Sequence, residues 1–452
     1  MPLWLRRTIY VSFMAVFFIV APLLALYSMG YRYHPGKHRL ERTGLIVVDG
    51  GPSDAVVLVD GEVRATRLPA RVGGLGENVY TLRVMRDGYH PWEQRVAVVS
   101  GETTFATDVH LFRDASPSLL VRGTITTYTA SADARFGAAI RADAGFEELW
   151  IHDLKDGTRT LVLRTPQDAR RAMEVIWSPR DARLLVRTAT DVLVIDPRAP
   201  HEPLALARIL DAAPDTAQWE LGSGDAVIAT TAGRIFRISV DSGRAIPLPI
   251  AIPETPFAVS RDALYTTVRT AHGNTLQRIP TNGDPTTTVA TLATDLALTR
   301  FLDLRGTTIT VETDAPRRTV TVNTTTGTIT VREGFDFRRS PYDATAARWF
   351  TETFELWTEE HDPPTERLLV RRDAPLVDAL WLPGTSSLIV ATAKDVHALA
   401  RDSAGEASTT PLAAFDGIRG ITVQQDGSTL FIAGERDGAS GLWELPLSGP
   451  RR

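Results

Sequence analysis

Eight short apolar runs with nearly the same grammar recur along the last two thirds of this 452-residue chain. They begin at Glu148 (ELWIHDL), Asp191 (DVLVIDP), Arg234 (RIFRISV), Thr275 (TLQRIPT), Arg318 (RTVTVNT), Glu355 (ELWTEEH), Asp395 (DVHALAR) and Gly441 (GLWELPL). The steps between them are 43, 43, 41, 43, 37, 40 and 46 residues. A repeat of that length with several strands in it is the mark of a β-propeller, in which small sheets stand as blades around a central channel.

Two further features repeat with these runs. An apolar segment precedes each, as in Val175–Pro179 (VIWSP), Ala217–Glu220, Ala379–Pro383 and Gly420–Val423, and leads through a polar turn into another strand such as Arg183–Arg187 or Ser387–Ala391. Tight turns follow at Asp156-Gly157, Ser242-Gly243, Asn282-Gly283 and Thr326-Gly327, where glycine supplies the backbone freedom a hairpin needs. Three to four strands per repeat predict eight blades over residues 118–452. Seven is the alternative if the divergent segment from Phe301 to Glu333 is not a blade. The last repeat, Gly420 to Leu447, has three clear strands. Ser118–Arg122 is expected to add the fourth and so latch the ring, because an open ring would expose sheet edges.

The N-terminus has a different composition. From Ile9 to Met29 no residue is charged, and these 21 residues span roughly 31 Å as a helix, about the thickness of a bilayer core. Pro22 is tolerable in a membrane helix. Trp4 on one side and Tyr27, Tyr31 and Tyr33 on the other suit the headgroup regions. A cleaved signal would have a shorter apolar region and end in small residues, whereas this one ends Ala25-Leu26-Tyr27-Ser28-Met29. We expect residues 1–30 to be an uncleaved transmembrane anchor. Arg6 and Arg7 favour a cytoplasmic N-terminus, while Arg32, Lys37, Arg39 and Arg42 in the basic juxtamembrane segment 31–42 oppose it. Long domains translocate with little regard to flanking charge, so N-in is the expected orientation.

Residues 43–112 carry strand patterns and no helical period. Leu45–Val48 and Ala55–Val59 are apolar runs, Asp60-Gly61 is a hairpin signal, and Tyr80, Leu82 and Val84 alternate with polar residues, as do Val96 and Val98. Val109–Leu111 closes the set. A β-sandwich of about seventy residues is near the lower size limit for independent folding. Residues 113–117 are a short linker.

This small unit resembles the PEGA domain, a β-module of surface and envelope proteins. The likeness rests on Gly44–Val48, on Pro52-Ser53-Asp54-Ala55 at the place of the eponymous tetrapeptide, on Val57–Gly61, on Pro69–Val72, on Tyr80-x-Leu82-x-Val84 and on Gly88–Trp92. Leu68 stands where the family usually has threonine, and Gly76–Val79 replaces a Pro-Gly turn. The resemblance implies an envelope context and no chemistry, since the family has no established catalytic residues. The VIWSP-turn-strand pattern is similar to the repeats of TolB-like propellers. The whole order, with Gly30–Tyr33 (GYRY) after the anchor, resembles a kind of bacterial envelope protein.

Candidate sites are few. Cysteine is absent, which removes disulfides, thiolate metal sites and cysteine nucleophiles together. The net charge of -5 gives no basis for a nucleic-acid partner. There is no phosphate loop, G-x-S-x-G elbow, H-E-x-x-H pair or EF-hand loop, and Leu221–Gly224 is a hairpin turn. His34 and His38 are spaced as ligands on a helix would be but lie in a Pro/Gly-containing basic segment. The densest acidic cluster is Glu352, Glu355, Glu359, Glu360, His361, Asp362 and Glu366; Pro363-Pro364 places it at a loop between outer strands, where charge is expected to be solvated. Trp150, Trp357 and Trp443 share one strand position and Trp177, Trp219 and Trp381 another, as packing between blades requires.

We therefore expect an all-β protein behind a transmembrane helix, with no catalytic residue, no cofactor and no metal. Its expected role is a non-catalytic extracytoplasmic scaffold presenting the propeller to a protein or envelope polymer. The rival is a propeller-fold hydrolase or lyase acting on an envelope polymer or peptide. An enzyme should concentrate His, Asp, Glu or Arg at the channel ends of several blades, and a scaffold should not.

Overall fold

The structure is a computed structural model that describes residues 3–28, 31–34, 39–167, 172–271, 273–314, 317–340, 346–351, 354–360, 365–385, 387–401 and 407–448. The helix Leu3–Ser28 contains Pro22 and no acidic residue in its first turn. Its stretch Arg7–Ala25 is long and apolar enough to cross a membrane. The protein covers none of it: Phe13, Phe17, Phe18 and Ile19 all stand exposed. A core helix of a soluble domain would bury such a face.

The small N-terminal unit is a two-sheet sandwich. One sheet orders Ala70–Leu75, Gly44–Gly51 and Thr103–His110, the last two parallel; the other orders Glu62–Ala65, Val56–Val59, Asn78–Met85 and Trp92–Val98. Alternation does the work: Ile46, Val48, Val57, Val59, Leu82, Val84, Val96 and Val98 point into one core while their neighbours face out. Asp60 and Gly61 both have positive φ, as a two-residue hairpin turn requires, and Asp60 Oδ1 accepts from the Thr81 backbone N–H at 2.8 Å. The first strand runs on past the apolar Leu45–Val48 through Asp49–Gly51, where Thr103–His110 pairs alongside it. A Cβ on Gly50 would sit 2.0 Å from the Val109 carbonyl oxygen, so the parallel approach needs glycine.

Among the described residues from 118 on, eight four-stranded antiparallel sheets follow one another. Blades 1 to 7 take consecutive strands within residues 124–166, 174–205, 216–247, 257–292, 298–333, 335–371 and 376–414. Blade 8 joins Gly417–Val423, Thr429–Arg436 and Ala439–Pro446 to Ser118–Arg122, which pairs with Ala439–Pro446. The latch thus forms where it was expected, and residues 298–333 do form a blade. Each of the eight recurrent runs lies in the third strand of its blade. The second strands are the most deeply buried; all six residues of Ala226–Thr231 are inside. Hydrophobic clusters lie between successive blades. Phe136, Ile140 and Leu149 of blade 1 meet Leu184, Val186 and Ile195 of blade 2, and at the seam Ile125 and Tyr128 of blade 1 meet Phe431 and Leu442 of blade 8.

Candidate binding site in the propeller channel

First strands of blades 1, 2, 5, 6, 7 and 8 line the channel. A cavity of about 620 Å³ lies there, within the size range of ligand sites. Its described lining comes from blades 1, 2, 5, 6, 7 and 8. None of the described lining residues comes from blade 3 or blade 4. The end of the first strand of blade 5, Leu298–Arg305, reaches across to Arg180, in the turn after the first strand of blade 2. Arg180 Nε donates to the Gly222 carbonyl at 3.2 Å and Nη2 to the Leu304 carbonyl at 3.3 Å. Gly222 has φ of 76°, and a Cβ there would lie 2.7 Å from the Leu304 oxygen. Leu221–Gly224 is thus more than a hairpin turn: its backbone takes part in the contact that narrows the channel.

The cavity wall is built from arginines seated on carboxylates. Arg305 Nε lies 2.8 Å from Asp303 Oδ2, and Arg180 lies 3.8 Å from the same group. Arg300 is 3.4 Å from Glu312, and Arg338 Nε is 2.9 Å from Asp336. These four arginine side chains are 42–64 % exposed, whereas Asp303, Asp336 and Glu312 are 13–29 % exposed. The acids lie deeper and the guanidinium heads lie outward.

Beneath them Arg348 is fully buried. It sits in the second strand of blade 6 and donates Nη1 to Asp336 Oδ2 at 2.8 Å and Nη2 to Asp378 Oδ1 of blade 7 at 3.0 Å. The backbone N–H of Asp336 donates to Glu312 of blade 5, so one network ties three blades. Burial pulls the Asp336 pKa upward, but Arg348 and Arg338 outweigh it and hold the carboxyl below its ordinary value. Asp336 also has a positive φ of 54°, which is rare outside glycine, asparagine and aspartate.

Tryptophans occupy the two registers expected of them. Trp177, Trp219 and Trp381 end the first strands of blades 2, 3 and 7. The indole N–H of Trp177 donates to Thr129 Oγ1 at 3.1 Å and that of Trp219 to the Ile176 carbonyl at 2.9 Å, each on the preceding blade. They are packing residues, although Trp177 and Trp381 also line the cavity.

The acidic cluster is corrected in part. Glu352, His361, Asp362 and the Pro363-Pro364 turn lie outside the described residues, but Glu359 is buried and paired with Arg332 of blade 5, which also reaches Glu366 Oε1 at 2.8 Å. Glu355 is mostly buried too. Hydrogen bonds from Thr351 and Trp357, then Arg371, pull its pKa down to about 2. Glu359 and Glu355 face a neighbouring blade or strand, so solvation is the wrong description for them, whereas Glu366 is half-exposed. His34 lies in a strand, Tyr31–His34, paired with Arg39–Arg42, and His38 is outside the described residues. No group of His, Asp or Glu arranged to hold a metal ion occurs among the described residues.

Sequence reasoning did not pick out Arg180, Arg300, Arg305, Arg338 or Arg348. Their signal is positional: each follows or lies in a first or second strand near the channel, and this is visible only once the blades are in register. Arg and Asp do converge at the channel, from blades 2, 5, 6 and 7, which is the arrangement expected of the enzyme and not of the scaffold.

The fold and this site define an eight-bladed propeller with a charged central cavity, preceded by a small β-sandwich. Residues 43–111 match the PEGA domain family, and the sandwich is a PEGA domain. The chain is similar to the Dos1 propeller (TM-score 0.49, 12 % identity, covering 74 % of this chain and 95 % of that one). It is also similar to Saccharomyces cerevisiae Sqt1 (TM-score 0.47, 8 % identity, 74 % and 99 %). A third likeness is to an oligogalacturonate lyase in complex with manganese (TM-score 0.43, 13 % identity, 75 % and 95 %). No curated protein matches the sequence.

Proposed function

We propose that this is a single-pass membrane protein that binds a protein or cell-envelope polymer through its propeller channel. Residues 1–30 anchor it with the N-terminus cytoplasmic. The basic segment 31–42, the PEGA domain and, after the linker 113–117, the propeller at 118–452 lie outside. One observation carries the binding role: a cavity of about 620 Å³ whose outer wall is guanidinium groups held in place by deeper carboxylates. Fixed donors on a rigid ring are pre-organised, so a ligand loses little by being held. Site-specific photo-crosslinking in membranes from Ala132 and Leu302, lining positions outside the arginine wall, tests this. We expect a discrete crosslinked species that disappears in Arg300→Gln/Arg338→Gln. Equal crosslinking in that variant would exclude the arginines as the grip, and no crosslinked species from either position would exclude the channel as the site.

The enzyme reading has one observation of its own, the convergence of Asp and Arg. Against it, each described lining carboxylate accepts an arginine, so none is placed to exchange a proton with a substrate. Turnover of an envelope polymer by purified protein, abolished by Asp303→Asn, would favour the enzyme.

A further inference from the structure

We propose that the channel cavity takes a short peptide segment bearing one or two carboxylates, gripped by Arg300, Arg305 and Arg338. This rests on the channel being the binding site and goes further by naming the ligand's chemistry. A guanidinium has five N–H donors in a planar fork. Arg305 and Arg338 each direct Nε at a carboxylate beneath, and Arg300 directs one Nη. The remaining donors of these half-exposed heads are the groups a ligand carboxylate would meet, and arginine–carboxylate forks are strong and directional. Flexible side chains usually lose rotamer freedom on binding; here the deeper acids have already restricted them.

The charge balance selects the kind of anion. Among the described lining residues there are five arginines and three aspartates, a difference of +2. Glu312, just behind Arg300, reduces it further. A dense polyanion such as a polyuronate would bring many charges to a wall that can neutralise one or two, and Asp303, Asp336 and Asp378 would repel the rest. A peptide with one or two acidic groups, or its own terminal carboxylate, matches the count. Arginine clusters recognise acidic motifs in this way elsewhere.

The test uses the full chain in nanodiscs of uncharged lipid. The probes are fluorescein-labelled tetrapeptides with two, one or no glutamates (glutamine replacing each), with the terminal carboxylate free or amidated, and polygalacturonate as a dense polyanion. We expect affinity to rise with carboxylate number, about tenfold for the first, the equivalent of one good charge-assisted contact. Arg300→Gln/Arg338→Gln should melt as the parent does and lose that dependence. Equal binding of glutamine and glutamate peptides, no peptide binding at millimolar concentration, or binding of polygalacturonate without competition from the peptides would each overturn the proposal. If the peptides fail but the same double variant abolishes the membrane crosslink, the ligand class is wrong and the channel remains the site. If no crosslink forms from the channel either, both fall.

Discussion

Arg348 carries its charge with no solvent contact; carboxylates of two blades accept from its Nη1 and Nη2, while its buried Nε has no hydrogen-bond partner among the described residues. Such a group is costly to bury but far costlier to leave half-paired. Arg348→Met would leave Asp336 with Arg338 alone and Asp378 without the partner the two share. We expect a loss of about 3–5 kcal/mol, seen as a lower denaturation midpoint; a change within about half a kcal/mol would show that the network is solvated instead. Glu359 makes a similar, milder case. Glu359→Ala should cost about 1–3 kcal/mol because Arg332 keeps Glu366 as a partner but loses the buried one. His152 adds a pH dependence. It is buried against Phe431, with ring centroids 4.8 Å apart, and Nδ1 has no hydrogen-bond partner among the described residues. Burial first, and Arg159 second, lower its pKa from 6.5 to about 4. The folded state therefore resists a proton that the unfolded chain accepts. The stability tied to this group is whole above pH 6.5 and falls as pH drops toward 4, by up to about 3 kcal/mol. Thermal melts from pH 7 to 4 should show His152→Gln flattening the acid limb; an unchanged slope would assign it to other groups.

At the scale of elements, the third strand explains why the repeat was visible. In blades 1 and 6 a glutamate and a tryptophan two residues apart share a strand face, and the indole N–H donates to the carboxylate: Trp150 to Glu148 at 3.0 Å, Trp357 to Glu355 at 3.1 Å. Asp395 and His397 repeat the spacing in blade 7 at 2.8 Å. In these three of the eight runs the acid and the ring are thus a hydrogen-bonded pair and not packing alone. Blade 5 looked divergent for the opposite reason. Its first strand, Leu298–Arg305, carries Arg300, Asp303 and Arg305 toward the channel, so the apolar grammar breaks where the candidate site is. The rest of the site was illegible because its members are scattered from Arg180 to Asp378 and become neighbours only when the ring closes. Closure itself can be tested. Removing residues 118–122 exposes the unpaired edge of Ala439–Pro446. We expect early proteolysis near that strand and self-association on size exclusion. A monomer that melts like the parent would mean that blade 8 does not need its fourth strand.

At the scale of the whole molecule, where the propeller works depends on the fate of the N-terminal helix. Its exposed phenylalanines and leucines would, at roughly 25 cal/mol per Å² of apolar surface, be strongly unfavourable in water and are favourable in a bilayer. A signal sequence would satisfy the same physics only until cleavage, so the two fates differ in what remains attached. If the helix is an anchor, protein extracted from membranes should have an intact mass that includes residues 1–30 and should resist release by alkaline carbonate. Proteinase added to right-side-out vesicles should then remove the PEGA domain and propeller and leave a small protected piece containing Leu3–Ser28. Protection of the propeller in those vesicles would reverse the orientation, which is the outcome Arg32, Lys37, Arg39 and Arg42 would favour if flanking charge governed insertion. A mature chain beginning near Ser28 and washed off by salt would end the anchor reading. The channel's arginine wall would then belong to a free protein, and the crosslinks sought from membranes should be sought in the soluble fraction.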